Sequence, residues 1–355
     1  MQLNLNLRPL IDEDGPAMAG LSFSAPNNGG IGYAANYRVD AVKGAKALYG
    51  DMEGVAACAP GSARMVGVGI TRYGTCLVEG EPAPFAVIGN LVVHPDFRNL
   101  GLVDLLVDWQ VRAARERIGA QGIMLANYQR SNLAYDRVFR RYMNDRVGPL
   151  EYHPLRGLPD APQPHTAGAD GPISAGPLAE NEYETFASRL NEFYADYNFH
   201  QPASAQSLEA LVRRSPVASP IRHAYTAVDA RGNLLAGLIV NEEYRVRELE
   251  IRSLPRVMAA LNRVIHHVPE DGSVREIILD HLWFRPGQMR AAQHLIDTVR
   301  WIWSNRVTTV SSMIDPRGQL KELFPSRPWS VMARVVLTAS SPRPIDPNRL
   351  VRPIQ

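Results

Sequence analysis

The sequence predicts an α/β protein built from two similar halves. Its 355 residues exceed one ordinary domain and leave room for two of roughly 150 residues each. Glycine and proline are concentrated in residues 148–177, as in a linker or an extended surface crossing. On both sides of this break the same order recurs: an apolar strand, a short loop, a long helix and another strand. This order indicates an internal duplication, on pattern rather than on residue identity.

The composition is that of a globular protein, with 45% hydrophobic and 21% charged residues. A net charge of +2 is too small to indicate binding to nucleic acid or to a membrane surface. No apolar run reaches the roughly 18–20 residues of a membrane helix, and the first residues do not form a secretory signal. Cys58 and Cys76 are too few for a disulfide framework or a zinc cage. These two cysteines could pair with each other, but two free thiols in a reducing cytoplasm are the expectation. We also expect neither metal, nucleic-acid nor membrane partners.

The N-terminal half opens with alternating residues 2–7, which predict a strand, and a helix start near Ile11 with acids in its first turn. Residues 26–37 lack periodicity and predict a loop, and residues 65–79 predict two strands joined around Tyr73 and Gly74. The remaining predicted elements are a buried strand, a long helix, a second strand and a second helix: residues 85–93, 102–118, 122–126 and 132–142.

In the C-terminal half, periodicity predicts four helices, at residues 182–197, 207–214, 256–267 and 289–304. Five strands are predicted, at residues 224–228, 234–240, 276–284, 307–314 and 329–337. The Pro-rich segment that begins at Ser341 predicts a tail, and Leu350, Val351 and Ile354 give it apolar side chains with which to dock.

The segment most suggestive of chemistry is the loop between the long apolar strand and the long helix, HPDFRNLG. The first N–H groups of a helix have no internal partners, and they bind phosphates. Gly101 permits close backbone approach to an anion, and Arg98 adds charge and a fork of donors. Taken alone, this spacing fits a capped helix with a solvated arginine equally well.

With its neighbours, this segment resembles the GNAT superfamily of N-acyltransferases. VVHPDFRNLGL followed by VDLLVDWQVRAARE is similar to the family's acyl-CoA signature, a strand ending in V-x-P and a loop reading R/Q-x-x-G-x-G/A. The opening LNLRPLIDEDGPAMAGL is similar to the family's first strand and helix. Residues 132–142 lie where the family has N-x-x-A-x-x-x-Y. In the second half, LDHLWFRPGQMRAAQHLIDTVRWIW resembles the family more faintly, because its loop lacks the R-x-x-G spacing.

The resemblance implies two GNAT-like domains, each a mixed, mostly antiparallel twisted sheet flanked by helices. The first, residues 1–147, has an intact acyl-CoA loop, and the second, residues 178–340, is degenerate. A linker at 148–177 joins them, and residues 341–355 form the tail. Such a chain is either a monomer whose halves form a pseudo-dimer or a homodimer.

The resemblance also implies acetyl-CoA or another acyl-CoA as cosubstrate, without a metal. The backbone of Leu91, Val92 and Val93 would bind the pantetheine arm. Asn132 would hydrogen-bond near the cofactor, and an amine would attack the thioester directly. The pyrophosphate would be cradled by backbone N–H groups of consecutive loop residues: Arg98, Asn99, Leu100, Gly101, Leu102 and Val103.

The sequence departs from the family pattern at three positions. Val103 replaces a small loop residue, Val87 falls where a Glu base is common, and Phe139 falls where the family has a tyrosine acid. His94 at the strand end and Tyr135, which is out of register, are the remaining catalytic candidates. In the second half, Asp280 and His281 fit either acid–base work or a strand-end ion pair.

Three functions follow from these expectations. The first is acyl transfer from a CoA or carrier thioester to the amine of a small-molecule acceptor, itself free or carrier-bound. The second is a non-catalytic acyl-CoA-binding or scaffold protein, because the usual acid–base pair is missing. The third is atypical thioester chemistry on the same scaffold, either decarboxylation or S-acyl transfer.

Overall fold

The computed structural model describes residues 5–28, 31–163, 171–266, 268–324 and 333–354. The described helices are α1 Gly15–Ser24, α2 Ala41–Tyr49, α3 Leu102–Ile118, α4 Leu133–Phe139, α5 Tyr183–Phe193, α6 Ala205–Arg213, α7 Arg256–Ile265 and α8 Met289–Ile302. The strands of the first half are β1 Asn6–Pro9, β2 Asn27–Asn28, β3 Gly32–Tyr37, β4 Met52–Cys58, β5 Met65–Val78, β6 Glu81–Val93, β7 Ile123–Gln129, β8 Asp145–Arg146 and β9 Leu150–Leu155. Those that follow are β10 Ser174–Pro177, β11 Arg222–Val228, β12 Leu234–Asn241, β13 Arg247–Ser253, β14 Ser273–Val274, β15 Glu276–Phe284, β16 Thr309–Ile314 and β17 Ala333–Ser340.

One large sheet runs through both halves in the order β1-β4-β5-β6-β7-β17-β9-β16-β15-β12-β11-β10, with β8 beside β17. Its ladders are antiparallel except for β6–β7 and β15–β16, which are parallel. The predicted fold class, two GNAT-like units of mixed and mostly antiparallel sheet with flanking helices, is therefore confirmed.

The strand order is symmetric about the central β17–β9 pair because the halves exchange their last strands. Strand β17, from the end of the chain, pairs with β7 of the first half. Strand β9, from the segment between the halves, pairs with β16 of the second half. The Pro/Gly-rich segment 148–177 thus contributes β9 and β10 to the sheet, and its boundaries as a linker stay a prediction.

Each half opens in the same way where its parallel strands diverge. Strand β6 pairs with β7 only over residues 85–87 and 123–125, and β15 pairs with β16 only over residues 276–278 and 309–311. A bulge follows on the longer strand of each pair, at Asn90 (φ 48°) and at His281 (φ 53°). Such a bulge bends the strand locally.

A second sheet, in the order β14-β13-β3-β2, joins the halves on one side of the main sheet. The loop predicted over residues 26–37 is wrong for its second part, because residues 32–37 form β3 and pair with β13 of the other half. Gly29 and Gly30 lie outside the described residues. Periodicity did not predict β3, because its sequence, GYAANY, has few strongly apolar residues. Its partner strand is supplied only by the tertiary structure.

Of two further predictions, the pair of strands over residues 65–79 is wrong and the docking of the tail is confirmed. The two strands expected over residues 65–79 are one continuous strand, β5, and Gly74 lies within it opposite Phe85. A side chain at Gly74 would put its Cβ 2.8 Å from the Phe85 ring, so glycine here permits packing rather than a turn. The tail does dock, since Val351 and Ile354 are buried against β5 and β6 with Val78 and Val87.

Among the helices of the described residues, none is both long enough and apolar enough to cross a membrane. The described Cys58 and Cys76 are buried free thiols, as the sequence predicts.

Candidate active site

The divergence of β6 and β7 forms a wedge in the first half, here defined by residues 88–93 of β6 and 126–129 of β7. Beyond Val87 and Leu125 the two strands no longer pair, whereas β7 remains bonded to β17 on its other edge. Backbone groups on the inner edges of the wedge are thus positioned to accept an extended ligand as an added strand.

The loop at the mouth of the wedge leads into α3. Asn99 (φ 61°) and Gly101 (φ 82°) are both in the left-handed region, and the helix begins at Leu102. The N–H of Leu105 donates to the carbonyl of Gly101, so the preceding amides lie ahead of the first intrahelical bond. Within the part of the chain that the structure describes, no side chain caps this end, and nothing lies within 4 Å of a Cβ placed on Gly101. Together these features leave backbone donors at the start of α3, a geometry that suits an anion.

Arg98 holds this loop in place through two carbonyl groups. Its Nε donates to Val93 at 3.2 Å and its Nη2 to Pro26 at 2.7 Å. Leu102 is buried in the first-half core and Val103 packs against that core. The bulky side chain of Val103 therefore packs among the apolar residues beneath the helix, while its amide remains in the first turn.

Tyr135 lies at the wedge, although it is out of the family's register. Its hydroxyl donates to the carbonyl of Leu91, one residue after the bulge. Burial raises the pKa of Tyr135 far above its ordinary value, so the phenol holds its proton at neutral pH. Asn132 caps α4 and positions this tyrosine by accepting the Tyr135 N–H at 3.3 Å.

His94 lies at the end of β6 with both ring nitrogens engaged. The Arg64 guanidinium lies 2.9 Å from Nε2, and the Asp96 N–H donates to Nδ1 at 3.3 Å. These contacts tie His94 to the loop that precedes α3.

The two positions at which the sequence lacks the family's acid–base pair are core positions. Val87 is 4% exposed and Phe139 is 1% exposed. The Phe139 ring stacks on Tyr128 and contacts Tyr135 edge-on. Both positions are therefore occupied by packed apolar side chains.

A cavity of about 410 Å³ lies between the main sheet and the second sheet. Asn90 and Asn127, which belong to the wedge, line one part of it. From there it extends under β3 and β13 to the start of β15 and β16, and α7 covers it through Met258, Asn262 and Ile265. Most of its lining is apolar, as is typical of small-molecule sites.

Three charged side chains line this cavity: Glu243, Arg247 and Glu276. Glu243 accepts from Nε of Arg247 at 2.6 Å, so these two neutralise each other. Glu276 is 6% exposed, and Ser311 Oγ donates to it at 2.5 Å. Burial raises the pKa of Glu276 to about 7, against the opposing effect of that hydrogen bond.

The corresponding opening in the second half is filled by the chain itself. The tail residue Arg352 lies 2.8 Å from Nδ1 of His200 and 3.7 Å from Asp280. His281 lies 3.0 Å from Asp280, but burial lowers the pKa of His281, so the ion pair at this position is that of Asp280 with Arg352. Although burial opposes it, His281 and Arg352 hold the pKa of Asp280 below its ordinary range. This pairing favours the strand-end ion-pair interpretation over acid–base work.

The wedge between diverging parallel strands, with a helix N-terminus at its mouth, and its counterpart in the second half give the chain a tandem GNAT-like fold. In agreement, residues 53–143, which include the wedge and the loop before α3, match the family model described as Acetyltransferase (GNAT) family.

Solved structures share the fold of the whole chain. Saccharomyces cerevisiae N-myristoyltransferase with bound myristoyl-CoA has a TM-score of 0.66 at 12% identity, covering 100% of this chain and 90% of that one. A GCN5-related N-acetyltransferase from Sphaerobacter thermophilus has a TM-score of 0.56 at 15% identity, covering 96% and 97%. No curated protein sequence matches significantly.

Sequence reasoning missed the cavity and Glu276. The cavity depends on β3 and β13, which come from different halves and pair only in the folded molecule. The sequence did contain a signal for Glu276. In EIILD, residues 276–280, the side chains of Glu276, Ile278 and Asp280 fall on the same face of a buried strand, with a carboxylate at each end.

Proposed function

We propose that the chain transfers an acetyl or other acyl group from a CoA thioester in the wedge to an acceptor amine in the cavity. One observation carries this assignment: Asn90 of β6 and Asn127 of β7 belong to both the wedge and the cavity lining. An amine in the cavity therefore has access to a thioester held between the two strands. The neighbour that binds myristoyl-CoA and the matched family model support an acyl-CoA donor.

In the proposed reaction the amine nitrogen attacks the thioester carbonyl carbon directly. The new C–N bond forms, the C–S bond breaks, and the nitrogen loses one proton while the CoA sulfur gains one. Tyr135 is the proposed donor to sulfur, because its hydroxyl is at Leu91 and stays protonated until the thiolate leaves. The proton that the amine releases then passes through water and restores the phenol. No carboxylate stands at Val87, so the amine enters with a low pKa or loses its proton through water in the cavity.

The proposed cofactor contacts are those implied by the family resemblance. The backbone of Leu91, Val92 and Val93 binds the pantetheine arm, and the amides of residues 98–103 bind the pyrophosphate. Arg98 maintains the loop from beneath, since its guanidinium bonds join two carbonyls of the protein. We further propose a cytoplasmic location. We also propose that the protein is a monomer, because the exchanged strands already form one sheet from two halves.

The test is calorimetric titration with acetyl-CoA, a longer acyl-CoA and free CoA, followed by CoA release with a panel of amines. Gly101→Glu places an anion beside the pyrophosphate and should abolish binding. Gly287→Glu is the matched control, since Gly287 (φ 76°) also precedes a helix and also has nothing within 4 Å of an added Cβ. Equal loss in both variants would contradict the assignment of the loop.

A second function, binding without turnover, is favoured by the core positions of Val87 and Phe139. Steady CoA release with any amine would exclude it. Carbon dioxide release from malonyl-CoA without an acceptor would instead identify a decarboxylase on the same scaffold. Binding of an acylated carrier protein, but not of acyl-CoA, would identify a carrier-bound donor.

A further inference from the structure

The cavity continues well beyond the region in which the chemistry is proposed. Strands β17, β9 and β16 separate β7, with Asn127, from β15, with Glu276. Four strand-to-strand steps place these two ends on the order of 19 Å apart along the sheet. One cavity contacts both ends, and the residues between them are mainly apolar, among them Met313 and Val335.

The far end of this cavity has an uncompensated acidic group. Within the described residues, no cationic side chain forms an ion pair with Glu276, and Ser311 is its hydrogen-bonding neighbour. Arg247 is committed to Glu243. A buried carboxylate without a counterion is costly, and a ligand that brings a cation removes that cost.

We propose that Glu276 selects acceptors in which an apolar chain separates the reacting amine from a second, cationic group. The proposal rests on the proposed function, because it places the reacting amine at the wedge. The apolar chain lies along the sheet, and the second ammonium group pairs with Glu276. Amphiphilic diamines are the simplest members of this class.

The pKa of Glu276, raised to about 7 by burial, adds a pH signature to this recognition. A cation binds the ionised carboxylate, so affinity rises with pH up to about 7 and then levels off. The other titratable or charged groups facing the cavity are Tyr33 of β3, Tyr128 of β7, Tyr152 of β9, and the paired Glu243 and Arg247. In the described residues none of these forms an ion pair with Glu276.

The experiment compares diamines with amino groups at both ends, from hexane to dodecane, with monoamines of the same lengths. CoA release is measured with the acyl-CoA that binds most tightly. We expect kcat/KM for the best diamine to exceed that of its monoamine by roughly a hundredfold, with the difference in KM. Glu276→Gln should bring this ratio close to one. Glu250→Gln, which removes a carboxylate that does not line the cavity, should leave the ratio unchanged.

A binding measurement separates this proposal from the proposed function. Dodecane diamine is titrated into wild type and Glu276→Gln in the presence of free CoA, at several pH values. Wild-type affinity should rise about tenfold per pH unit below pH 7, and the variant should show no rise. If Glu276→Gln still binds acyl-CoA and turns over amines with an unchanged preference for the diamine, the role of Glu276 is overturned and the proposed function stands. Failure of wild type to bind any acyl-CoA would overturn the proposed function.

Discussion

Replacing Glu276 with glutamine should stabilise the protein above neutral pH. Burial raises the pKa of this carboxyl from 4.5 to about 7, so the native state favours its protonated form. A carboxyl whose pKa is raised by folding contributes stability that is fully present below the unfolded pKa. That contribution is lost as the pH rises through the folded pKa.

The size of the effect follows from the shift. A rise in the pKa of Glu276 from 4.5 to about 7 corresponds to about 3 kcal/mol of unfolding free energy. The wild type loses this free energy between about pH 4.5 and 7. Glutamine keeps the shape and can still accept the Ser311 hydroxyl, but it has no charged form to desolvate. The variant should therefore match wild type near pH 4.5 and exceed it by about 3 kcal/mol near pH 8.

The assay is urea unfolding of wild type and Glu276→Gln at these two pH values, followed by circular dichroism. Glu250→Gln, on β13 of the second sheet, serves as the control for removing a carboxylate that does not line the cavity. A stability difference between wild type and Glu276→Gln that is the same at both pH values would refute the reasoning. It would mean that water or a mobile cation reaches the carboxyl in the cavity.

Three further variants test the site and the docked tail. Arg98→Lys keeps the charge but cannot bridge the carbonyls of Val93 and Pro26, so calorimetry should show acetyl-CoA affinity about tenfold lower; unchanged affinity would make charge alone sufficient. Tyr135→Phe should lower kcat about a hundredfold with little change in the KM for acyl-CoA, and unaltered kcat in steady-state assays would remove Tyr135 from the chemistry. Val351→Ala should cost about 2 kcal/mol in urea unfolding, because the side chain is 1% exposed, and a cost near zero would mean that the tail detaches.

The GNAT-type unit of the first half was predictable because its signals are local. The apolar run of β6, the loop glycine and the periodicity of α3 are adjacent in sequence, and each follows from backbone geometry over a few residues. The same holds for the loss of the acid–base pair, since the spacing from adjacent motifs places Val87 and Phe139 at the positions where the family has its base and acid. The nearby position of Tyr135 against Leu91 was less predictable, because it depends on the turn that precedes α4.

What the sequence did not reveal depends on contacts between distant segments. Strand exchange places β9 beside β16 and β17 beside β7, and no local pattern encodes which half a strand will join. The cavity and the isolation of Glu276 follow from that exchange and from the β3–β13 pairing. Binary patterning describes which faces are apolar, but it does not say which partner covers them.

The exchange of β17 and β9 also has a consequence for how the chain acquires its structure during synthesis. Strand β7 is in the first half, yet the strand that covers its outer edge is encoded near the C-terminus. While the ribosome is still translating the second half, β7 has an unpaired edge, which is prone to intermolecular pairing. We therefore expect the first half expressed alone to aggregate, and a circular permutant that begins with β17 to fold faster than the natural order.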